Sequence, residues 1–188
     1  MSFPIGLPKL DSVVEQNGEV QLSAVAQDYL KVIWTASEWS EDTVSTKMLS
    51  ERIGVSASTV SEAIRKLADQ GMVDHARYGA ISLTERGRHA AVAMVRRHRL
   101  IETYLVRELG YGWGEVHSEA EILELAVSDL MMSRIDAKLG FPQRDPHGDP
   151  IPDKNGVFKT REKKLLSAMP VPSEGQFVVV KDSSATFL

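Results

Sequence analysis

The sequence predicts a mainly α protein: an N-terminal helix-turn-helix with a β-hairpin wing, followed by a separate helical domain. Three observations predict it. Two short amphipathic segments flank Gly54-Val55-Ser56, two strand-like runs surround Arg77-Tyr78-Gly79, and a proline-free helical pattern runs from Thr84 to Leu109.

Residues 1–22 carry Pro, Gly and scattered polar groups without a period, and are expected to form a flexible extension. From Ser23, Ala26, Leu30, Ile33 and Trp34 recur at helical spacing, and the pattern fades over Ser37–Asp42. Met48, Leu49 and Ile53 line a short helix that Gly54 closes in the left-handed conformation. Ser56 then caps a second helix to about Gln70, with Val60, Ile64 and Leu67 inward and Gly71 as its stop. Met72–Ala76 and Ala80–Leu83 read as the wing strands. Thr84 caps the long helix to Leu109, which only Gly87 weakens. Gly110 to Gly114 break the chain, and a further helix is expected from about Ser118 to Leu139. Phe141–Pro152 is loop, Lys159–Leu166 a short helix, Pro170–Gly175 a linker and Phe177–Lys181 a strand. The expected domains are 1–22, 23–89, 90–152 and 153–188.

At 188 residues, 43% hydrophobic and 26% charged, the composition is that of an ordinary globular protein. No run of about 18 apolar residues exists to span a membrane. The N-terminus lacks a basic segment followed by an apolar core, so a cytoplasmic location is expected. With no cysteine, disulfides, thiolate metal sites and cysteine catalysis are excluded. The net charge of −4 counts lightly against a nucleic-acid partner, because whole-chain charge does not describe the local surface.

The helix after Ser56 has small and polar residues on the face opposite its apolar stripe: Ser56, Ala57, Ser58, Thr59, Ser61, Glu62 and Arg65. Small residues let a helix N-terminus approach bases and phosphates in the major groove closely. Lys66 and, in the wing turn, Arg77 are phosphate candidates. A three-helix packing unit whose polar face meets only water is the alternative. Glu62 is unusual there: it accepts from cytosine or repels phosphate.

His98 and Glu102 stand four apart on the long helix, as do His117 and Glu121 on the next, with Glu124 three further on. A short Gly-rich turn should pack the two helices antiparallel and bring these groups together. Asp28, flanked by apolar residues on the first helix, is another carboxylate. Imidazole and carboxylate without thiol suit Mn(II) or Fe(II), although other divalent first-row metals bind such a set in vitro. Solvated carboxylates and surface His–Glu hydrogen bonds are the alternative. His75, His89 and His147 read as surface residues.

The arrangement resembles the diphtheria toxin repressor and manganese transport regulator family of metal-activated repressors over residues 23–152. The resemblance rests on Asp28-Tyr29-Leu30, Ile53 to Ser61, Leu83-Thr84-Glu85-Arg86-Gly87, Arg97 to Glu102, Val116 to Glu121, and Pro146 to Pro152. It implies a metal-binding and dimerisation domain after the DNA reader, and two neighbouring metal sites. One falls on His98, Glu102 and His117; the other on Asp28, Glu121 and Glu124. Carboxylates at Asp28 and Glu121 look like the manganese-responsive branch. The family has a histidine after the position of Glu124, where this chain has Leu125. That change leaves the second site impaired, completed by another group, or altered in selectivity. Phe177–Lys181 resembles the first strand of a small C-terminal β-domain, of which the chain carries a remnant.

The expected function is therefore a metal-dependent repressor of metal-homeostasis genes. It binds a palindromic double-stranded operator as a homodimer and uses neither a membrane nor a small organic substrate. Metal joining Asp28 to Glu121 and Glu124 would tie the reader to the dimer core. Coupling of ~1–3 kcal/mol would raise operator affinity about 5–150-fold. Leu123, Val127, Leu130, Met131 and Ile135 serve the dimer or the core. The alternatives are a regulator without metal control, a helical carboxylate–histidine enzyme, and a purely structural interaction module. The enzyme is disfavoured because no Glu-x-x-His occurs.

Overall fold

The computed structural model describes residues 15–16, 19–20, 22–38, 43–75 and 79–159. The chain divides after Met94 into two compact units. The division falls inside the long helix, slightly beyond the boundary expected after residue 89.

In the segment expected to be a flexible extension, β1 (Glu15–Gln16) pairs antiparallel with β2 (Glu19–Val20). The first unit is then built from α1 (Ala24–Glu38), α2 (Thr46–Ile53), α3 (Ala57–Asp69), β3 (Val73–His75) and β4 (Ile81–Leu83). α1 buries Ala26, Tyr29, Leu30, Ile33 and Ala36, one stripe at spacings of three and four. α2 starts where Ser45 Oγ accepts from the Met48 N–H at 3.2 Å. It ends at Gly54, whose φ of 76° sends its N–H back to the Ser50 carbonyl. α3 buries Val60, Ala63, Ile64 and Leu67 against that core. Leu30, Leu49, Ile64 and Leu67 are among its fully buried side chains, each contributing about 1.5–3 kcal/mol.

The wing strands pair antiparallel, Val73 opposite Leu83 and His75 opposite Ile81. The Ile81 N–H also donates to the Val44 carbonyl at 3.0 Å, fixing β4 to the loop before α2. The wing turn at 76–78, and with it Arg77, lies outside the described residues.

α4 spans Glu85–Leu109. Thr84 Oγ1 accepts from the Gly87 N–H at 3.0 Å and donates to the Gly71 carbonyl at 2.7 Å, so one hydroxyl caps α4 and fastens it to the end of α3. Gly87 is a packing requirement as well as a weak helix former: a Cβ there would lie 1.9 Å from the Met72 carbonyl oxygen.

The helix expected from about Ser118 to Leu139 is two helices, α5 (Trp113–Ala126) and α6 (Asp129–Lys138). α5 starts earlier because the Glu115 carboxylate accepts from the Gly112 N–H at 2.9 Å, half of a capping box. The break comes at Val127, which is extended, and Ser128, whose Oγ accepts from the Met131 N–H. The second core joins Leu100, Ile101, Leu105, Val116, Ala120, Met132, Ile135 and Ile151, with Leu123 and Val127 packed against it. Leu130 and Met131, by contrast, are 69% and 50% exposed. The expected short helix at Lys159–Leu166 lies outside the described residues beyond Lys159, and so does the strand at Phe177–Lys181.

Candidate metal centre and nucleic-acid face

α3 presents Ser56, Ala57, Ser58, Thr59, Ser61, Glu62 and Arg65 to solvent. Ser56 Oγ is its N-cap, accepting from the Thr59 N–H at 3.2 Å. The same oxygen lies 2.8 Å from both Ser58 Oγ and Thr59 Oγ1, so three hydroxyls cluster at the leading end. Glu62 is paired one turn on with the half-buried Lys66 at 3.3 Å, which offsets its repulsion toward phosphate.

In the second unit, α4 and α5 bring together three donor atoms. His98 Nε2 lies 3.0 Å from Glu102 Oε1 and 3.1 Å from His117 Nδ1, and that nitrogen lies 3.1 Å from the same Glu102 oxygen. Both histidines have a carboxylate of α5 at their other nitrogen. Glu124 Oε2 is 2.6 Å from His98 Nδ1, and Glu121 Oε1 is 3.4 Å from His117 Nε2. Glu124 is 1% exposed. It therefore sits against the back of His98, outside the trio of donor atoms. A carboxylate accepting from Nδ1–H fixes the tautomer whose Nε2 lone pair points inward. Asp28 is half-buried on α1 in the first unit. Its place in a ligand group with Glu121 and Glu124 rests on the resemblance alone.

His147 is not the surface residue expected from the sequence. Its side chain is 24% exposed, and Nδ1 lies 3.7 Å from Glu102 Oε2. Asp145 completes a second group with Glu102 and His147 whose ligand atoms lie within 4.8 Å of one another. Arg99 holds the loop in place, donating to the Pro150 carbonyl at 2.7 Å with Nε 3.7 Å from Asp145 Oδ2. The Trp113 ring meets His147 edge-on at 5.5 Å. The signal was present in Asp145-Pro146-His147-Gly148: two potential donor groups two residues apart in a turn-forming segment. A loop offers no period to show which way they face.

These groups perturb one another. Burial pushes the Glu102 carboxyl up, but the imidazoles of His117, His147 and His98 gathered around it outweigh burial and hold the group well below the usual carboxylate range. Burial and the charges of Asp149 and Glu102 push Asp145 up to about 6, against the pull of Arg99. The Glu102 carboxylate beside it raises His147 despite partial burial.

Comparison with known proteins follows the same two-part division. Residues 21–81 match the N-terminal DNA-binding domain of iron-dependent repressors, and residues 84–153 match their metal-binding and dimerisation domain. A manganese-dependent transcriptional repressor solved in complex with manganese is 66% identical, with a TM-score of 0.79 over 85% of this chain and 73% of that one. The chain belongs to the iron-dependent repressor family. As a family member it also resembles the manganese regulator SloR, at 39% identity and a TM-score of 0.63 over 70% of this chain and 60% of that one. The iron-dependent repressor IdeR of Mycobacterium tuberculosis is 33% identical over 70% of this chain and 57% of its own length. The chain thus spans little more than half of that curated relative. The family is one of transcriptional repressors, which leaves the enzyme alternative without support.

Proposed function

We propose that the chain is a Mn(II)-responsive transcriptional repressor, with Fe(II) as a second activating metal, that binds a palindromic operator in the cytoplasm as a homodimer. The observation that carries this reading is the trio of His98 Nε2, Glu102 Oε1 and His117 Nδ1, separated by 3.0 to 3.1 Å. Two ligands about 2.1 Å from one cation and at right angles lie about 3 Å apart, so the trio fits a first-row divalent ion. Two imidazoles and a carboxylate with no thiol favour Mn(II) or Fe(II). Glu102, Asp145 and His147 form a second ligand group through the other oxygen of Glu102. Asp28 is retained as a ligand candidate from the family resemblance.

A bound cation supplies the positive charge that these oxygens and nitrogens share. Glu124 holds the His98 imidazole in the binding tautomer, Glu121 lies beside His117 and stays a ligand candidate, and Arg99 keeps Asp145 in place. Ser56 to Thr59 and Ser61 form the groove-facing end of α3, and Arg65 and Lys66 meet phosphate. Ile122, Leu130 and Met131, 67%, 69% and 50% exposed, give α5 and α6 an apolar surface suited to the second copy.

Titrating a labelled palindromic duplex with protein in Mn(II) and in chelator tests the reading. Metal is expected to tighten binding about 5–150-fold; equal affinity in the two conditions overturns the switch. The metal step also depends on pH. Asp145 keeps its proton up to about pH 6, and His147 beyond its ordinary value. Protons therefore compete with the cation, and Mn(II) affinity is expected to rise as pH climbs from 5.5 to 8. Calorimetry in buffers of different ionisation enthalpy should show proton release, and a pH-independent affinity would contradict it.

A further inference from the structure

Three arginines surround His98 on α4, and each binds a different part of the second unit. Arg96 pairs with Asp136 of α6 at 2.6 Å and donates to the Pro152 carbonyl, and Arg99 holds the loop of Asp145. Arg97 reaches the junction of α5 and α6. Its Nε donates to the Glu124 carbonyl at 2.9 Å, Nη2 donates to the Val127 carbonyl, and Nη1 pairs with Asp129 at 2.6 Å.

The last carbonyls of a helix lack partners within it. α5 has no basic residue in its last turn to meet them. The cap comes instead from another helix, through the residue immediately before His98. One guanidinium therefore grips the main chain of the residue whose carboxylate, at 2.6 Å, holds His98 Nδ1. Because Glu124 and Val127 lie on either side of the α5 terminus, two carbonyl contacts fix both where that turn ends and how it is rotated. Rotation of the turn would swing the Glu124 carboxylate away from the ring. The Asp129 end is fully exposed, so this ion pair contributes little by itself.

We propose that Arg97 is a positioning residue of the metal centre: by capping α5 at Glu124 and Val127, it holds the Glu124 carboxylate against His98 and so sets the nitrogen offered to the cation. This rests on the reading of His98 as a ligand.

The test measures Mn(II) binding to the full chain by electron paramagnetic resonance of the free ion, with the melting temperature of each apo variant recorded alongside. Arg97→Met is expected to weaken Mn(II) binding about 10–100-fold, as loss of an outer hydrogen-bonding partner does. Glu124→Gln should weaken it similarly, and the double variant no further than the weaker single, because both changes remove the same restraint. Asp129→Asn should bind as the wild type does. If Arg97→Met does not fold, Arg97→Lys takes its place; a single ammonium keeps the charge but cannot meet both carbonyls, so its binding should fall as well.

Wild-type Mn(II) affinity in the folded Arg97 variants, whatever their melting temperature, would overturn the proposal. So would losses at Arg97 and Glu124 that add. Absence of Mn(II) uptake by the wild type itself would remove the metal reading; wild-type uptake with unaffected Arg97 variants would remove only the positioning role.

Discussion

Glu102→Gln is expected to raise the apparent Kd for Mn(II) more than ~100-fold, beyond the ~10–100-fold typical of outer partners. The carboxylate is 2% exposed and both oxygens are engaged, Oε1 with His98 and His117 and Oε2 with His147. Glutamine keeps the volume, removes the charge, and turns one acceptor into a donor facing imidazole nitrogens. Both ligand groups lose their common member. The metal-dependent part of operator affinity should vanish with them, while the metal-free affinity stays. Competition with a metal indicator, paired with duplex anisotropy, checks both halves; wild-type Mn(II) affinity in the variant would sink the assignment.

The same variant carries a stability signature. The folded pKa of Glu102 is depressed, so its contribution is present above the unfolded carboxylate value and is lost as pH falls toward the folded one. The wild type should therefore exceed Glu102→Gln in apo stability at neutral pH. That margin should shrink as the solution is acidified below the ordinary carboxylate range.

Gly87→Ala is expected to destabilise the first unit by about 1–3 kcal/mol, the usual cost of overpacking. Helix propensity argues the other way, since alanine gains about 0.5–1 kcal/mol over glycine inside a helix. Sterics decide the sign. The added Cβ would lie 1.9 Å from the Met72 carbonyl oxygen and 2.8 Å from its carbon, both backbone atoms that no rotamer change can move. That carbonyl also accepts from the Thr84 N–H at 3.0 Å, so displacing it loosens the seam between wing and helix. For a chain of this size, each kcal/mol corresponds to about 2–4 °C of melting temperature. A thermal melt in which alanine matches or exceeds glycine refutes the account.

How legible the molecule was varies with the kind of signal. The stripe of Ala26, Leu30 and Ile33, the turn at Gly54 and the cap at Ser56 are local features, and the helices follow from them. The histidine–carboxylate spacing on α4 and α5 likewise brings three candidate donor atoms together on facing helices, because one turn of helix separates each pair. Local signals do not report which neighbour a side chain meets. Gly87 read as a weakness in a helix, and its purpose lies in the Met72 backbone fifteen residues earlier, just before β3. Glu124 read as a ligand candidate from its spacing alone; that its carboxylate meets His98 Nδ1 depends on how α5 is rotated, which spacing does not report. The interruption between α5 and α6 was missed because Val127 and Ser128 fit a helical pattern. Their conformation is favoured by the Ser128 cap and by an arginine thirty residues away. Asp145 and His147 sit in a loop, where sequence periodicity carries no directional information.

The hydroxyl cluster at the start of α3 bears on how this chain meets a duplex. Ser56, Ser58 and Thr59 fix one another's oxygens, yet each hydroxyl hydrogen can rotate. A contact surface built this way is settled in position but undecided in polarity. Each group can donate to a phosphate or accept from a base amine without moving a heavy atom, so little ordering entropy remains to be lost on contact. On the proposed reading, discrimination among sequences would then fall to groups of fixed polarity further along the helix, where Glu62 and Arg65 face solvent.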